Sequence, residues 1–321
     1  MDLRRECDAR GGPKPGPGTG ARANPDPGPR ASSTAFDAVL FVLLVGVAVA
    51  VLAGAVPGES TGPSRIPDET ADVLATSTER VTVERRGAVR ADGLLPGERA
   101  GTASVSVERS YHGTYAELLA AATVANPRLG TRPLTGVGRD LAREARNVTR
   151  RALPTDDANV RVVARWRPYP GASLAGSVTV GDAPPRDADV SVATLTVASG
   201  FPNASARLHP ERASYAGVAE VVARGVVAGL FPVNRTEDAL ASEGPDRAIT
   251  AHRYRTASDA LGARTGDALA EADVTAANRR LADRLAPAIE RDLVRTFETP
   301  AAAARAVSLD RVRIVVRTWS P

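Results

Sequence analysis

The residues that could perform catalytic or metal-binding chemistry are few and lie far apart. The 321 residues include three histidines, His112, His209 and His252, and one cysteine, Cys7. Metal-binding helices place two imidazoles on one face through an HxxxH spacing, and zinc sites often combine histidines with cysteines. The three histidines have neither arrangement. We therefore expect no metal site and no cofactor, and each histidine should be a surface or hydrogen-bonded side chain.

Two short stretches come close to known functional loops. Gly171-Ala-Ser173-Leu-Ala175 differs from the GxSxG nucleophile elbow in its last residue, and it precedes a predicted strand instead of joining a strand to a helix. Asp182, Asp187 and Asp189 share a loop but lack the spacing of a calcium-binding hand. We interpret the first as a turn and the second as a solvated loop, and we expect no catalytic residues.

The charges of the chain nearly balance. Lys14 is the single lysine among 41 basic residues, and 37 acidic residues bring the net charge to only +4. This is not the strong positive charge of a nucleic-acid-binding protein, so we expect no nucleic-acid partner. Arginines alternate with apolar residues in several predicted strands. They should form solvated sheet faces or, alternatively, contact an acidic partner such as a glycan, an envelope layer or a neighbouring subunit.

One apolar stretch determines how the rest of the chain is placed. Residues 38–56 contain 19 residues without a charge, enough to cross the hydrocarbon core of a bilayer, about 30 Å thick, as a helix. We predict a disordered cytoplasmic leader at 1–32, a transmembrane helix at 33–56 in contact with membrane lipid, and a linker at 57–67. Basic residues precede the helix and acidic ones follow it. The expected topology is therefore a single-pass membrane protein with a cytoplasmic N-terminus and an extracellular C-terminal domain.

Small residues in this helix could support its association with other helices. Gly46, Ala50 and Gly54 are four residues apart and share one face. Small side chains at this spacing let two helices approach closely in lipid. The alternative is that alanine and glycine are simply common in this chain.

The head of the apolar stretch has a recognisable pattern. Arg30 is followed by small polar residues and then by Asp37, a lone carboxylate before the helix. This pattern resembles the prepilin signal of type IV pilin-like proteins, in which a dedicated peptidase cuts on the cytoplasmic side and the helix remains on the subunit. The resemblance implies processing at Ala31, Ser32 or Ser33, and a pairing of Asp37 with the terminal amine of a neighbouring subunit.

The match to that signal has differences. Aspartate replaces the usual glutamate, the usual glycine or glutamine near the cut is missing, and the leader is long. The alternative is an ordinary anchor helix that Asp37 caps at its N-terminus.

Residues 68–321 are predicted to form an extracellular α+β domain with a mainly antiparallel sheet and several packed helices, with a sub-boundary near residue 200. Its last strand, Arg311–Trp319, alternates apolar and basic residues as a half-buried strand does. The predicted helices are Asp68–Glu79, Thr114–Ala125, Val137–Ala152, Glu211–Leu230, Arg247–Gly262 and Asp273–Phe297, the last kinked or split near Pro287.

Three N-glycosylation sequons begin at Asn147, Asn203 and Asn234, all after the apolar stretch, which agrees with external placement. The stretches STAFDAVLFVLLVG, WRPYPGA and VRIVVRTWSP resemble an uncharacterised family of haloarchaeal membrane proteins, often found beside pilus or Tad-type secretion machinery. The family implies a non-catalytic pilin-like or pseudopilin-like subunit, with a prepilin peptidase and other pilin-like subunits or itself as partners. The alternative is an anchored ectodomain that binds the cell envelope without a filament role.

Overall fold

The computed structural model describes residues 66–91, 101–153 and 159–320. The predicted leader and transmembrane helix lie outside these ranges, as do residues 57–65 of the predicted linker. The first described helix begins at Ile66, two residues before the predicted start of the domain. Pro67 is tolerated there because the first turn of a helix does not use its backbone N–H groups.

Helices and strands alternate in the first half of the described chain, and helices dominate the second. The helices are α1 (Ile66–Thr76), α2 (Tyr115–Ala125), α3 (Arg139–Ala152), α4 (Tyr215–Leu230), α5 (Val233–Ala241), α6 (Pro245–Leu261), α7 (Gly266–Ala270), α8 (Val274–Thr296) and α9 (Pro300–Ala306). The strands are β1 (Thr78–Ala91), β2 (Gly101–Thr114), β3 (Arg128–Leu129), β4 (Arg132–Pro133), β5 (Asn159–Trp166), β6 (Leu174–Val180), β7 (Ser191–Ala198) and β8 (Arg311–Trp319).

The larger sheet has the strand order β4-β3-β6-β5-β8-β7, and every neighbouring pair is antiparallel. The last strand, β8, therefore lies inside the sheet. In its register Val316 lies opposite Val162 of β5 on one side and Ala193 of β7 on the other. The prediction of an α+β fold with an antiparallel sheet is confirmed for the described residues, and residues on both sides of position 200 contribute to this sheet.

The alternation in β8 determines which face is buried. Val312, Ile314 and Val316 are each 0% exposed, whereas the intervening arginines Arg311, Arg313 and Arg317 are exposed. A strand of period two sends successive side chains to opposite faces, so one apolar and one charged face result. The helices α1 and α2 pack against the sheet. Trp166 of β5 is fully buried, and its Nε1–H donates to the carbonyl of Leu309 at 2.8 Å.

The helices α4 and α8 form the largest helix pair of the core. Their contact uses apolar stripes at helical spacing, as the sequence predicts. The buried members are Val218, Val222, Val226 and Leu230 in α4, and Leu281, Leu285, Ile289 and Leu293 in α8. Of the two alternatives expected at Pro287, a kink or a split, the split is wrong, because α8 continues through this residue. Proline has no backbone N–H, so the carbonyl of Asp283 receives no helical hydrogen bond from Pro287. Both residues are exposed, so water can donate to that carbonyl.

Among the described residues, one helical stretch, Tyr215–Ala241, has the length and the apolar composition that crossing a membrane requires. Length and composition are the only criteria that it meets. It comprises α4 and α5, and half of its apolar window is buried inside the domain. A buried core helix meets the same criteria, and α4 has that position against α8.

The hairpin of β1 and β2 is longer than the sequence pattern indicates. Alternation predicts strands only at 81–83 and 104–107, but the two strands pair from Thr78↔Thr114 to Ala91↔Gly101. Pairing satisfies the backbone N–H and C=O groups of both strands, whatever their side chains are, so a hairpin can extend past its apolar residues. At its base, Val81 and Val83 are buried, and β1 contacts α3 and α6.

Candidate functional site

The residues predicted to control processing and assembly all precede the described part of the chain. They are Ala31, Ser32, Ser33, Asp37, Gly46, Ala50 and Gly54. Their proposed roles remain predictions from the sequence.

The three sequons differ in how accessible the structure makes them. Asn147 is exposed on α3, but the hydroxyl-bearing residue of its sequon, Thr149, is 0% exposed. Asn234 is likewise exposed at the start of α5, whereas Thr236 is buried. Asn203 precedes a short 3-10 turn at Ser205–Arg207 and accepts a hydrogen bond from the exposed Ser205 hydroxyl at 2.6 Å. Of the three, only Asn203 combines a loop position with an exposed hydroxyl partner.

The described histidine and carboxylate side chains and the Gly171–Ala175 stretch have the following arrangement. Within the described ranges, no group of three or more histidine, cysteine, aspartate or glutamate side chains could hold a metal ion. The Gly171–Ala175 stretch contains a turn with Gly171 at φ +78°, followed by β6, so its interpretation as a turn is confirmed. The Ser173 hydroxyl and backbone N–H both donate to the buried carboxylate of Asp292, which also pairs with Arg295. This contact joins α8 to the turn.

A pocket lies between the hairpin, α3 and α6 in the described part of the chain. Its volume is about 190 Å³. Aliphatic side chains form much of its wall, and the guanidinium groups of Arg109 and Arg253 also line it. A shallower surface pocket of about 520 Å³ shares Arg109, Thr250 and Arg253 with it.

Arg109 reaches across from β2 to α6. It forms an ion pair with Asp246 in the first turn of α6, where the helix dipole favours a negative charge. Both side chains are about half exposed, so this pair is partly screened by solvent. Burial lowers the pKa of Arg109, but the hydrogen bond and charge of Asp246, together with Tyr111, outweigh that effect and raise its pKa above the ordinary value.

Arg253, on α6, is held against apolar and aromatic groups. Its Nη2 donates to the backbone carbonyl of Leu230, and its guanidinium carbon lies 5.1 Å from the centre of the Phe231 ring, a cation–π geometry. Its Nε is buried and has no hydrogen-bond partner in the described chain. Burial lowers the pKa of Arg253, the nearby positive charge of Arg109 lowers it further, and Tyr254 and Tyr111 oppose the shift.

A polar network fixes the aromatic floor beneath Arg253. The Tyr254 hydroxyl donates to Oδ1 of Asn278 at 2.7 Å, and Nδ2 of Asn278 donates to the carbonyl of Phe231 at 2.9 Å. The Phe231 and Tyr254 rings stack with their centres 4.2 Å apart. The position of the guanidinium is therefore set by packed rings and hydrogen bonds, as expected for a preorganised binding group.

Sequence reasoning missed this pocket because its charged members are far apart in the chain. Arg109 and Asp246 are separated by 137 residues, and no motif or spacing relates them. The only local signal is Arg253-Tyr-Arg255 inside a predicted helix, where basic residues flank an aromatic one that is buried.

Comparison with known proteins gives a family without an assigned activity. The model of one family, described as a family of unknown function, matches residues 36–319. No curated protein and no solved structure matches the chain.

Proposed function

The chain belongs to the DUF7284 family of unknown function, and we propose that it is a non-catalytic, pilin-like subunit of a type IV pilus-like or Tad-type assembly. In this proposal the chain spans the cell membrane once, with its N-terminus in the cytoplasm and its α+β domain outside. The main supporting observation is the sequence at the head of the apolar stretch, where Arg30, small polar residues and Asp37 precede the uncharged residues 38–56. This order resembles the prepilin signal, in which the leader is removed and the helix stays on the subunit.

The connection between the apolar stretch and the domain is short. Nine residues, 57–65, separate Val56 from the first residue of α1. Even fully extended, nine residues reach only about 30 Å. The domain begins at once after them, because Thr70, Ala71 and Leu74 of α1 are buried in it. In this proposal residues 57–65 connect the membrane anchor to the domain.

The proposal gives Asp37 a specific physical role. After cleavage among residues 31–33, the new terminal amine lies about one helical turn from Asp37. In the low dielectric of a helix bundle, a carboxylate and an amine of neighbouring subunits attract strongly, and either one left unpaired bears a desolvation cost. Gly46, Ala50 and Gly54 would let the helices approach closely enough for this pairing.

The N-terminus of the mature protein tests this proposal directly. Mass spectrometry of the membrane-extracted chain should find a first residue between Ala31 and Ser33, with the apolar stretch retained. A mature protein that still begins at Met1 would exclude pilin-like processing.

Substitution of Asp37 tests the assembly role separately. Asp37→Ala should leave cleavage and membrane insertion intact but reduce the high-mass assemblies recovered after chemical cross-linking of intact cells. Asp37→Glu, which keeps the charge, is the matched control and should restore them. Equal cross-linking in all three proteins would assign Asp37 to helix capping alone.

Topology has its own measurement. Protease added to intact cells should digest the chain beyond Pro57, because basic residues before the apolar stretch and acidic residues after it favour an external domain. Protection of the domain until the cells are lysed would reverse the proposed orientation.

A second candidate function is an anchored ectodomain that binds a component of the cell envelope without joining a filament. The observation that favours it is the preorganised arginine pocket, since a subunit with a purely structural role does not require one. In that case Asp37→Ala would have no assembly defect, and the pocket would be the functional part of the domain.

A further inference from the structure

We propose that the pocket lined by Arg109 and Arg253 binds a small monocarboxylate with a compact apolar body. This inference rests on the described domain alone and does not depend on whether the chain assembles into a filament.

The charge balance of the pocket calls for one anion. Arg109 is already paired with Asp246, and Asp140, the other carboxylate of the wall, pairs with Arg143 at 2.8 Å. No described carboxylate lies within ion-pair distance of Arg253. Arg253 is largely buried, and a charge withdrawn from water without a counter-charge is unfavourable. A bound anion would supply that counter-charge.

The geometry favours a carboxylate over a more highly charged group. A guanidinium offers two parallel N–H donors that match the two oxygens of a carboxylate. Because Arg253 has no ion-pair partner among the residues that the structure describes, a single negative charge neutralises it. A dianion such as phosphate would add a second charge close to Asp246, which lines the adjoining pocket beside Arg109.

The remaining wall determines the body of the ligand. Val83, Val107, Val137, Leu141 and Ile249 present aliphatic surface to the cavity. A small apolar cluster apart from the main core consists of Ile249, Val107, Val137 and Ala248. The cavity lies between this cluster and the main core, because their side chains do not fill the space there. A volume of about 190 Å³ slightly exceeds the roughly 150 Å³ cavity that accommodates benzene in an engineered protein core. One ring or a short aliphatic chain with a carboxylate therefore fits.

The probe for this proposal is 4-fluorobenzoate, with its binding to the full-length chain in non-ionic detergent followed by ¹⁹F NMR. The uncharged 4-fluorobenzamide has nearly the same shape and tests whether the negative charge matters. We expect saturable binding of the carboxylate and at least about tenfold weaker binding of the amide, since charge-assisted hydrogen bonds are roughly twice as strong as neutral ones. Absence of carboxylate binding, or equal binding of both probes, would overturn the proposal.

Two substitutions then locate the site. Arg253→Met keeps much of the side-chain length but removes the charge, and it should weaken 4-fluorobenzoate binding about tenfold or more. Its matched control is Arg313→Met on the exposed face of β8, which should change the affinity less than about twofold because that arginine is exposed and does not line the pocket. Equal affinities of the two variants would place the probe elsewhere and refute the assignment.

A third variant keeps the test decisive if Arg253→Met does not fold. Val107→Phe enlarges a half-buried side chain of the pocket wall while both arginines remain. It should also reduce carboxylate binding, because the ring occupies part of the cavity. The fluorescence of buried Trp166 reports whether each variant is folded. Undiminished binding to a folded Val107→Phe protein would show that the cavity is not the site.

Discussion

The interior position of β8 predicts a large and localised stability effect. Ile314 is 0% exposed, and its register places it opposite Ala164 of β5 and Leu195 of β7. Ile314→Ala removes three buried carbon atoms from the centre of the sheet. Substitutions of this kind cost about 2–5 kcal/mol, compared with a total unfolding free energy of about 5–15 kcal/mol for typical domains. We therefore expect a large fraction of the stability to be lost.

The neighbouring residue provides the matched control. Val315 belongs to the same strand but to the opposite face, and its side chain is only partly buried. Val315→Ala should cost at most about 1.5 kcal/mol, since it removes two carbon atoms that contribute about 0.8 kcal/mol each when fully buried. The difference between the two variants measures burial on one face, because the backbone pairing of the strand is the same in both.

The assay is urea unfolding of the full-length chain in non-ionic detergent, followed by tryptophan fluorescence. The chain has two tryptophans, Trp166 in β5 and Trp319 in β8, so the signal comes from the sheet itself. The shift of the urea midpoint multiplied by the slope of the transition gives the change in unfolding free energy. Equal midpoints for Ile314→Ala and Val315→Ala, or a loss below about 1 kcal/mol for the former, would refute the burial assigned to β8.

Three further outcomes follow from the described geometry. Asp292→Ala removes the acceptor of the turn before β6 and should lower the unfolding free energy by about 1.5–3 kcal/mol in the same assay; an unchanged midpoint would contradict it. Asn203→Gln should abolish any glycan mass on the intact chain, whereas Asn147→Gln should retain it; the reverse pattern would contradict the accessibility argument. Gly176→Ala would place a Cβ 2.1 Å from a backbone carbonyl of α2 and should cost about 1–3 kcal/mol, whereas Gly266→Ala, with open space around it, should be nearly neutral.

The fold was largely predictable because its elements have strong local patterns. The stripes in α4 and α8 and the alternation in β8 are set by burial on one face, which sequence periodicity records directly. The extent of the hairpin was not predictable, since backbone pairing with a distant strand leaves no side-chain pattern. The continuation of α8 through Pro287 also depends on context, because the carbonyl left without a donor faces water in the folded domain.

The arginine pocket could not be predicted for a different reason. It forms where β2, α3 and α6 meet, and its partners are brought together only by tertiary packing. Solvent-facing arginines and the buried Arg253 look alike in the sequence, since both are single basic residues within amphipathic elements. The sequons show the reverse case, in which the motif is visible in the sequence but its accessibility depends on whether Thr149 and Thr236 are buried.

The interior position of β8 also affects how the chain folds as it is synthesised. β5 ends at Trp166, and its partner β8 begins only at Arg311, 145 residues later. At a synthesis rate of about 5–20 residues per second, β8 is completed roughly 7–30 s after β5. During this interval neither β5 nor β7 can pair with β8. Unpaired strand edges readily pair with other chains, so this interval exposes the chain to aggregation and to proteases. A chain interrupted before residue 311 lacks the strand that pairs with both β5 and β7, so these two strands keep unpaired edges.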